Sequence, residues 1–180
     1  MSQYGSAVEY SLHCLLYLTG AAAGADVATT RSVRDIAEFQ KLSTDYVAKL
    51  FTRMEKAGLV TSIEGLRGGF CLARAAEDIS VLDVVDAIEG RKPLFACREV
   101  RANCILFDET TPPWSGRGVC GIHAVMLQAD RAMRASLAQS NLAQLSSHVA
   151  QVVPRVHQKA ARNWFEERGA ARGRGARNRG

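Results

Sequence analysis

Residues 43–73, STDYVAKLFTRMEKAGLVTSIEGLRGGFCLA, decide the fold of this chain. The first half has the apolar spacing of an amphipathic helix that begins at Ser43 and ends at Gly58. The second half predicts two short strands, 59–63 and 69–73, joined by a glycine-rich turn. The stretch therefore predicts a helix followed at once by a small β-hairpin.

Two further helices are predicted before this stretch. The first begins at Ser6, because Ser6 and Glu9 have the spacing of a capping box in front of an apolar face. Ser32 is placed to cap the second, which comes shortly before the amphipathic helix. Helix, helix-turn-helix and then a two-stranded wing is the order of a winged helix-turn-helix. We therefore expect a mainly α fold with a small β-hairpin wing.

A winged helix-turn-helix suits duplex DNA, since its third helix enters the major groove and a glycine-rich wing approaches the phosphates. We expect contacts from the start of that helix and from the wing tip, although Tyr46 fits the core equally well. The candidate residues are Ser43, Thr44, Asp45, Tyr46, Lys49 and Arg67.

The second half of the chain predicts two more long elements. Ser80 is placed to cap a helix, and a helix near 121–138 carries an apolar stripe suited to packing against a second copy. The chain then divides into four predicted parts. They are a winged helix-turn-helix domain over 1–90, a cysteine-rich loop over 91–120, dimerisation helices over 121–153 and a C-terminal extension over 154–180.

Three of the five cysteines lie in one irregular segment. Cys97, Cys104 and Cys120 are separated by glycines and prolines, and His123 lies one helical turn after the last of them. Thiolates and imidazole bind iron and zinc well, and a loop can bring distant sulfurs together. The segment therefore predicts a metal or iron–sulfur centre.

The sequence indicates neither export nor a membrane span. We expect a cytoplasmic protein whose thiols stay reduced. Cys14 and Cys71 lie among apolar residues and are expected to be inert core thiols. Because no phosphate loop, nucleophile–base pair or paired carboxylates form a plausible site, we expect neither an enzyme nor a small-molecule substrate.

The formal net charge of +5 equals the charge of five arginines at the C-terminus, where no acidic residue occurs: Arg168, Arg172, Arg174, Arg177 and Arg179. Without them the chain has 18 basic and 18 acidic residues. A Gly/Ala/Arg-rich segment has little to bury, so we expect a disordered tail from Arg168. Its charge would add non-specific affinity for nucleic acid or simply solubilise the chain.

Three segments, in this order, resemble one family. They are AGLVTSIEGLRGGFCLAR at 57–74, ISVLDVVDAIEG at 79–90 and CGIHAVM at 120–126. They are similar to the Rrf-type (IscR/NsrR-like) winged-helix transcriptional regulators, and the likeness covers most of the chain. The resemblance implies a homodimer that binds a double-stranded DNA operator. It also implies an iron–sulfur cluster, [2Fe–2S] or [4Fe–4S], that senses redox state, nitric oxide or iron–sulfur status.

The resemblance further implies a ligand set. Cys97, Cys104 and Cys120 match the three cluster cysteines of the family, and His123 matches the fourth ligand of its IscR-like members. The gap between Cys104 and Cys120 is longer than in the compact form of the family, so the cluster type does not carry over.

A second ligand set stays open beside the first. VEYSLHC at 8–14 resembles a branch whose [2Fe–2S] cluster takes a Glu and a His from one subunit and two cysteines from the other. Glu9 and His13 are four residues apart on one helix face and match that pair. Cys97 and Cys120 would then be the cysteines. With both sets in view, [2Fe–2S] is favoured over [4Fe–4S].

The sequence therefore predicts a DNA-binding transcriptional repressor whose operator binding is controlled by an iron–sulfur cluster. The alternative is a cluster-free regulator in which Cys97, Cys104 and Cys120 act as a thiol–disulfide or zinc switch.

Overall fold

The computed structural model describes residues 3–20, 29–65, 68–102, 104–107 and 112–177. Seven α-helices and two strands lie in these ranges: α1 (Ser6–Leu16), α2 (Val33–Phe39), α3 (Thr44–Lys56), β1 (Val60–Ile63), β2 (Gly69–Leu72), α4 (Val81–Glu89), α5 (Gly121–Gln139), α6 (Leu142–Val152) and α7 (Arg155–Arg177). The chain forms two compact units. The larger unit comprises Met1–Gly90 and Ala138–Gly180, and the cysteine unit comprises Arg91–Leu137.

The core of the larger unit lies between α1, α2, α3 and α4. Leu15, Ile36, Phe51 and Met54 are fully buried there, as the 3.6-residue periodicity of their helices predicts. Leu142 at the start of α6 is also fully buried, and its N–H donates to the carbonyl of Ile79 at 3.0 Å. The predicted mainly α fold with a β-hairpin wing is confirmed.

The wing consists of β1 and β2, which pair antiparallel with Val60 opposite Leu72. The backbone of Arg31, just before α2, adds one bridge to Phe70 in β2. Gly69 permits this close approach, since a Cβ there would lie 2.3 Å from the carbonyl oxygen of Arg31. The wing strand therefore passes directly beside the residue that precedes α2.

Of the three helix caps predicted at Ser6, Ser32 and Ser80, two are observed and one is not. Ser32 and Ser80 accept hydrogen bonds from the backbone three residues on, at 3.1 and 3.0 Å, as predicted. The capping box predicted at Ser6 is wrong, because the N-cap of α1 is Gly5 and makes no side-chain cap bond. With Gly5 as the N-cap, Glu9 lies one position too far along the helix to complete a capping box.

The first residues of the tail predicted to be disordered from Arg168 lie in a helix and make contacts. α7 continues to Arg177, and Phe165 is only 4% exposed. Arg168 pairs with Glu38 and Arg172 pairs with Asp35. An aromatic anchor and two carboxylates on α2 therefore support a helix in a segment whose composition alone indicates disorder.

The cysteine unit is built differently. α5 crosses it with no buried residue, and Ile122 and Val125 are 70% and 64% exposed. Its loop is held by turns such as the one in which Ser115 Oγ donates to the carbonyl of Pro112 at 2.7 Å. Within the described part of the chain, no helix is both long and apolar enough to cross a membrane.

Candidate metal centre and nucleic-acid interface

The third helix presents a polar face at its start. Ser43 Oγ accepts the backbone N–H of Tyr46 at 3.4 Å, so the helix starts where the sequence predicts. Thr44, Asp45 and Lys49 are exposed on α3, while the apolar residues of the helix are buried beneath them. The exposed residues supply donors and acceptors of the kind that read base edges and phosphates.

Tyr46 and the wing tip stand apart from this group. Tyr46 is half-buried, and its ring packs edge-to-face on Tyr10 of α1 with centroids 5.9 Å apart. It therefore contributes to packing as well as lining the surface. Arg67, the predicted wing contact, lies outside the described residues.

The cysteine unit brings together two of the predicted ligands and one that was not predicted. The Sγ of Cys97, a carboxylate oxygen of Glu99 and a ring nitrogen of His123 all lie within 4.8 Å of one another. Cys97 Sγ also donates to Glu99 Oε1 at 3.6 Å, and the ring of Phe95 lies 6.0 Å from that of His123. Sulfur, oxygen and nitrogen donors at this spacing fit a borderline-soft metal such as iron or zinc.

Arg101 organises the approach to α5. Its guanidinium donates to Glu99 Oε2 at 2.8 Å and to the carbonyls of Arg117 and Gly118 at 3.3 and 3.1 Å. The residue thus ties the segment after Cys97 to the turn before Cys120. The Glu99 hydrogen bond with Arg101 lowers the pKa of that carboxyl.

Cys120 lies at the start of α5 in a setting that favours its thiolate. Backbone N–H groups of His123 and Ile122 hydrogen-bond its sulfur and lower its pKa, and the charge of Arg101 adds to the effect. A deprotonated thiol is the form that binds metals and that reacts with oxidants. The chemistry of the donors therefore fits the group that the sequence predicts, with Cys97, Cys120 and His123 as candidate ligands.

The other predicted ligands lie outside the cluster formed by Cys97, Glu99 and His123. Neither Cys120 nor Cys104 belongs to the group. Cys104 is half-buried in a turn of its own. Glu9 and His13 are both exposed on α1, as their spacing predicts. They line a groove of about 660 Å³ in the larger unit, together with His148 of α6.

The two remaining cysteines differ from each other. Cys14 is fully buried, as predicted for a core thiol, and burial raises its pKa to about 12. Cys71 was also predicted to be core but is only half-buried in β2, because its strand lies at the edge of a two-stranded sheet.

Sequence reasoning missed Glu99 and Arg101. Glu99 adopts a left-handed backbone conformation, with φ of 48°, which turns the chain sharply after Cys97. The one available signal was the charge pattern CREVR at 97–101, in which an acid and a base follow the cysteine at two-residue intervals.

A helix-turn-helix with an exposed polar third helix and an attached hairpin defines a winged-helix regulator. The family model Rrf2, described as an iron-dependent transcriptional regulator, matches residues 4–148. The chain belongs to the Rrf2 family. It is therefore a DNA-binding transcriptional regulator and not an enzyme.

Individual proteins are similar to this chain in sequence or in fold. Protein rrf2 of Nitratidesulfovibrio vulgaris is 37% identical over 114 residues, which cover 63% of this chain and 69% of that protein. The structure of T. potens IscR superposes with a TM-score of 0.59 and 23% identity, covering 85% of this chain and 93% of that one. CymR, the global cysteine regulator of B. subtilis, superposes with a TM-score of 0.57 and 23% identity, covering 82% and 98%.

Proposed function

We propose that this regulator represses transcription as a homodimer and that an iron–sulfur cluster in the cysteine unit controls its operator binding. The observation that carries the proposal is the convergence of Cys97 and His123 within 4.8 Å. The lowered pKa of Cys120, just before α5, supports a third thiolate ligand. The description of the family as iron-dependent supports the choice of iron.

Cys97, Cys120 and His123 would hold the cluster. The fourth ligand would come from Glu99 or from Cys104. In the second ligand set, Glu9 and His13 of one subunit would instead join Cys97 and Cys120 of the other, and [2Fe–2S] remains favoured over [4Fe–4S]. A bound cluster supplies reversible one-electron chemistry and reactivity toward nitric oxide.

The proposed ligands lie on both sides of the irregular loop, so metal binding would affect the position of α5, the candidate dimer helix. Cys97 and Glu99 precede the irregular loop, whereas Cys120 and His123 begin α5. Holding these donors together restrains the loop against α5, whose exposed Ile122 and Val125 are suited to pack on a second copy. Operator half-sites must match the spacing of two reading domains, so a shift at α5 changes affinity.

Anaerobic purification followed by visible spectroscopy and by iron and sulfide analysis tests this proposal. We expect a coloured protein with matched iron and sulfide that changes its operator affinity when the iron is chelated. Cys97→Ser, Cys120→Ser and His123→Ala should each lower the iron content, while Cys71→Ser, in the wing, serves as the control and should retain it. A protein that stays free of iron after reconstitution contradicts the proposal.

A second candidate function is a cluster-free thiol or zinc switch. Cys97, Glu99 and His123 form a set with one sulfur, one oxygen and one nitrogen, which suits a single tetrahedral zinc ion. CymR, whose fold this chain shares, is described as a global cysteine regulator, so the same fold occurs in a regulator linked to cysteine. Stoichiometric zinc in a colourless protein, or a disulfide formed by oxidation between Cys97 and Cys120, would favour this candidate.

A further inference from the structure

A cavity of about 240 Å³ lies in the larger unit, between α1, α6 and α7. His13 and His157 line it and are both exposed, so their imidazoles lie at its mouth. The rest of the wall is largely apolar and includes two aromatic rings. The apolar lining residues are Leu16, Tyr17, Phe39, Val149, Val153 and Ala161. The cavity therefore combines an apolar interior with a polar opening.

α7 closes one side of the cavity, and its position is fixed before and after Ala161. Towards the start of the helix, Gln158 Nε2 donates to the carbonyls of Ala150 and Val153, each at 2.8 Å. Four residues after Ala161, the side chain of Phe165 is buried. This wall is thus held by hydrogen bonds at one end and by a buried aromatic side chain at the other.

The cavity is completed by residues outside the region that matches the family model. The match ends at residue 148, whereas the wall that α6 and α7 contribute runs from Val149 to Ala161. The site therefore depends on the part of the chain that follows the matched region.

The volume and the lining of the cavity indicate the size and class of a ligand. Protein interiors leave few voids larger than a water molecule, and an apolar cavity of about 150 Å³ is enough to bind benzene. A cavity of about 240 Å³ therefore holds one aromatic ring with a small substituent. The rings of Tyr17 and Phe39 offer edge or offset packing to such a ring, and an imidazole at the mouth can hydrogen-bond a polar substituent.

Phe39 connects the cavity to the DNA-reading part of the molecule. It is the last residue of α2, the first helix of the helix-turn-helix. Its ring packs on those of Tyr17 and Phe165, with centroids 5.3 and 4.9 Å away. A ligand that contacts Phe39 therefore bears directly on the placement of α2. If it favours one placement over another, it shifts the affinity for the operator.

We propose that this cavity binds a small single-ring aromatic molecule with one polar substituent, and that the bound molecule raises operator affinity by holding Phe39 and α2 in place. The lining residues all belong to the larger unit, so the site does not depend on a metal centre in the cysteine unit. His13 also belongs to the second ligand set above, so the variants that test the cavity leave it unchanged.

Isothermal titration of the full-length protein with p-cresol tests the site. We expect saturable binding to the wild type, and at least about tenfold weaker binding to Ala161→Phe, because the added ring fills the cavity. Ala160→Phe, at the adjacent exposed position, is the matched control and should bind p-cresol as the wild type does. Should Ala161→Phe displace α7, Val153→Phe fills the cavity from the α6 side and repeats the comparison. Absence of saturable binding to the wild type, or equal binding to the filled variants, would overturn the proposal.

Two further measurements test the class of ligand and its effect. Hexan-1-ol, a chain of similar size without a ring, should bind at least about threefold more weakly than p-cresol. Equal affinities would overturn the aromatic class. Saturating p-cresol should lower the operator Kd of the wild type and of Ala160→Phe by at least about threefold, but not that of Ala161→Phe. An unchanged Kd in the wild type would overturn the effect on DNA binding.

Discussion

The two compact units of this protein differ in what holds them together. The described apolar side chains that are buried all lie in the larger unit, with Phe51 and Leu15 at its centre. In the described part of the cysteine unit the buried residue is Ser115, whereas Ile105 is 97% exposed. The larger unit is therefore stabilised by its own apolar packing. The cysteine unit leaves apolar side chains exposed and its cysteines partly exposed, where a ligand or a second protein can reach them.

This difference in packing suits two different functions, DNA recognition by the larger unit and sensing by the cysteine unit. A rigid core keeps the recognition helix in a fixed relation to the wing, which reading DNA requires. A unit with little core has low local stability, so bound ligands and partner surfaces change its conformation at little cost. We therefore expect the rigid larger unit to recognise DNA and the less stable cysteine unit to respond to a signal.

The largest expected difference lies between the thiols of the two units. At neutral pH, Cys14 with a pKa of about 12 holds roughly a thousandfold less thiolate than an ordinary cysteine, and it is also buried. The pKa of Cys120 is lowered, so its alkylation should rise at lower pH than that of an unperturbed thiol. Site-resolved alkylation of metal-free protein between pH 6 and 9, followed by mass spectrometry, measures both rates. Comparable alkylation rates of Cys14 and Cys120 in the folded protein would contradict this prediction.

Two aromatic substitutions compare the packing directly. Phe51→Ala in the larger unit should lower the free energy of unfolding by about 3–5 kcal/mol, because Phe51 is fully buried. Trp114→Ala in the cysteine unit should change it by less than about 0.5 kcal/mol, because Trp114 is 65% exposed. Urea denaturation of both variants measures the difference. A large loss in Trp114→Ala would indicate that the loop belongs to the cooperative core.

The exposed stripe of α5 predicts an effect on assembly rather than on folding. Ile122→Asp/Val125→Asp should weaken self-association at least about tenfold, since each loses apolar contact of more than about 1 kcal/mol. Val156→Asp on α7, where the valine is 82% exposed, is the control and should leave association unchanged. Sedimentation velocity across a dilution series distinguishes the two. Equal dimer stability in both variants would exclude this face of α5 as the interface.

The smallest expected effect concerns two serines with the same sequence signature. Ser80→Ala should destabilise the larger unit by about 1 kcal/mol, because Ser80 completes a capping box with Asp83. Ser6→Ala should change stability by no more than about 0.3 kcal/mol, because Ser6 makes no cap bond. Thermal denaturation of the two variants checks the contrast. Equal losses would mean that Ser6 supports α1 in another way.

Local patterns were sufficient for the larger unit up to α4. The periodicity of α3, the alternation of β1 and β2 and the caps at Ser32 and Ser80 depend on neighbours a few residues apart, and each was predicted. Ser6 shows the limit of that approach, since a shift of one residue in the helix start removes the capping box. The candidate contacts at Thr44 and Lys49 followed from the same local reasoning.

Contacts between distant segments escaped prediction. Arg172 and Asp35 are 137 positions apart, so nothing local indicates that their pairing supports α7. The position of Glu99 depends on its own left-handed backbone conformation in an irregular loop. It also depends on Arg101, which hydrogen-bonds Glu99 and the carbonyl of Arg117. Neither the backbone turn nor its partners can be derived from spacing, whereas the cysteines were found because residue type alone marks them.

The hydrogen bonds of Arg101 have a consequence for how quickly a metal centre can assemble. By joining Glu99 to the carbonyls of Arg117 and Gly118, Arg101 closes the intervening loop within the chain itself. Loop closure costs conformational entropy, and here that cost is met before any ion arrives. An ion of the kind proposed above would meet Cys97, Glu99 and His123 already within 4.8 Å of one another, so we expect little further loop-closure entropy to be lost when it binds.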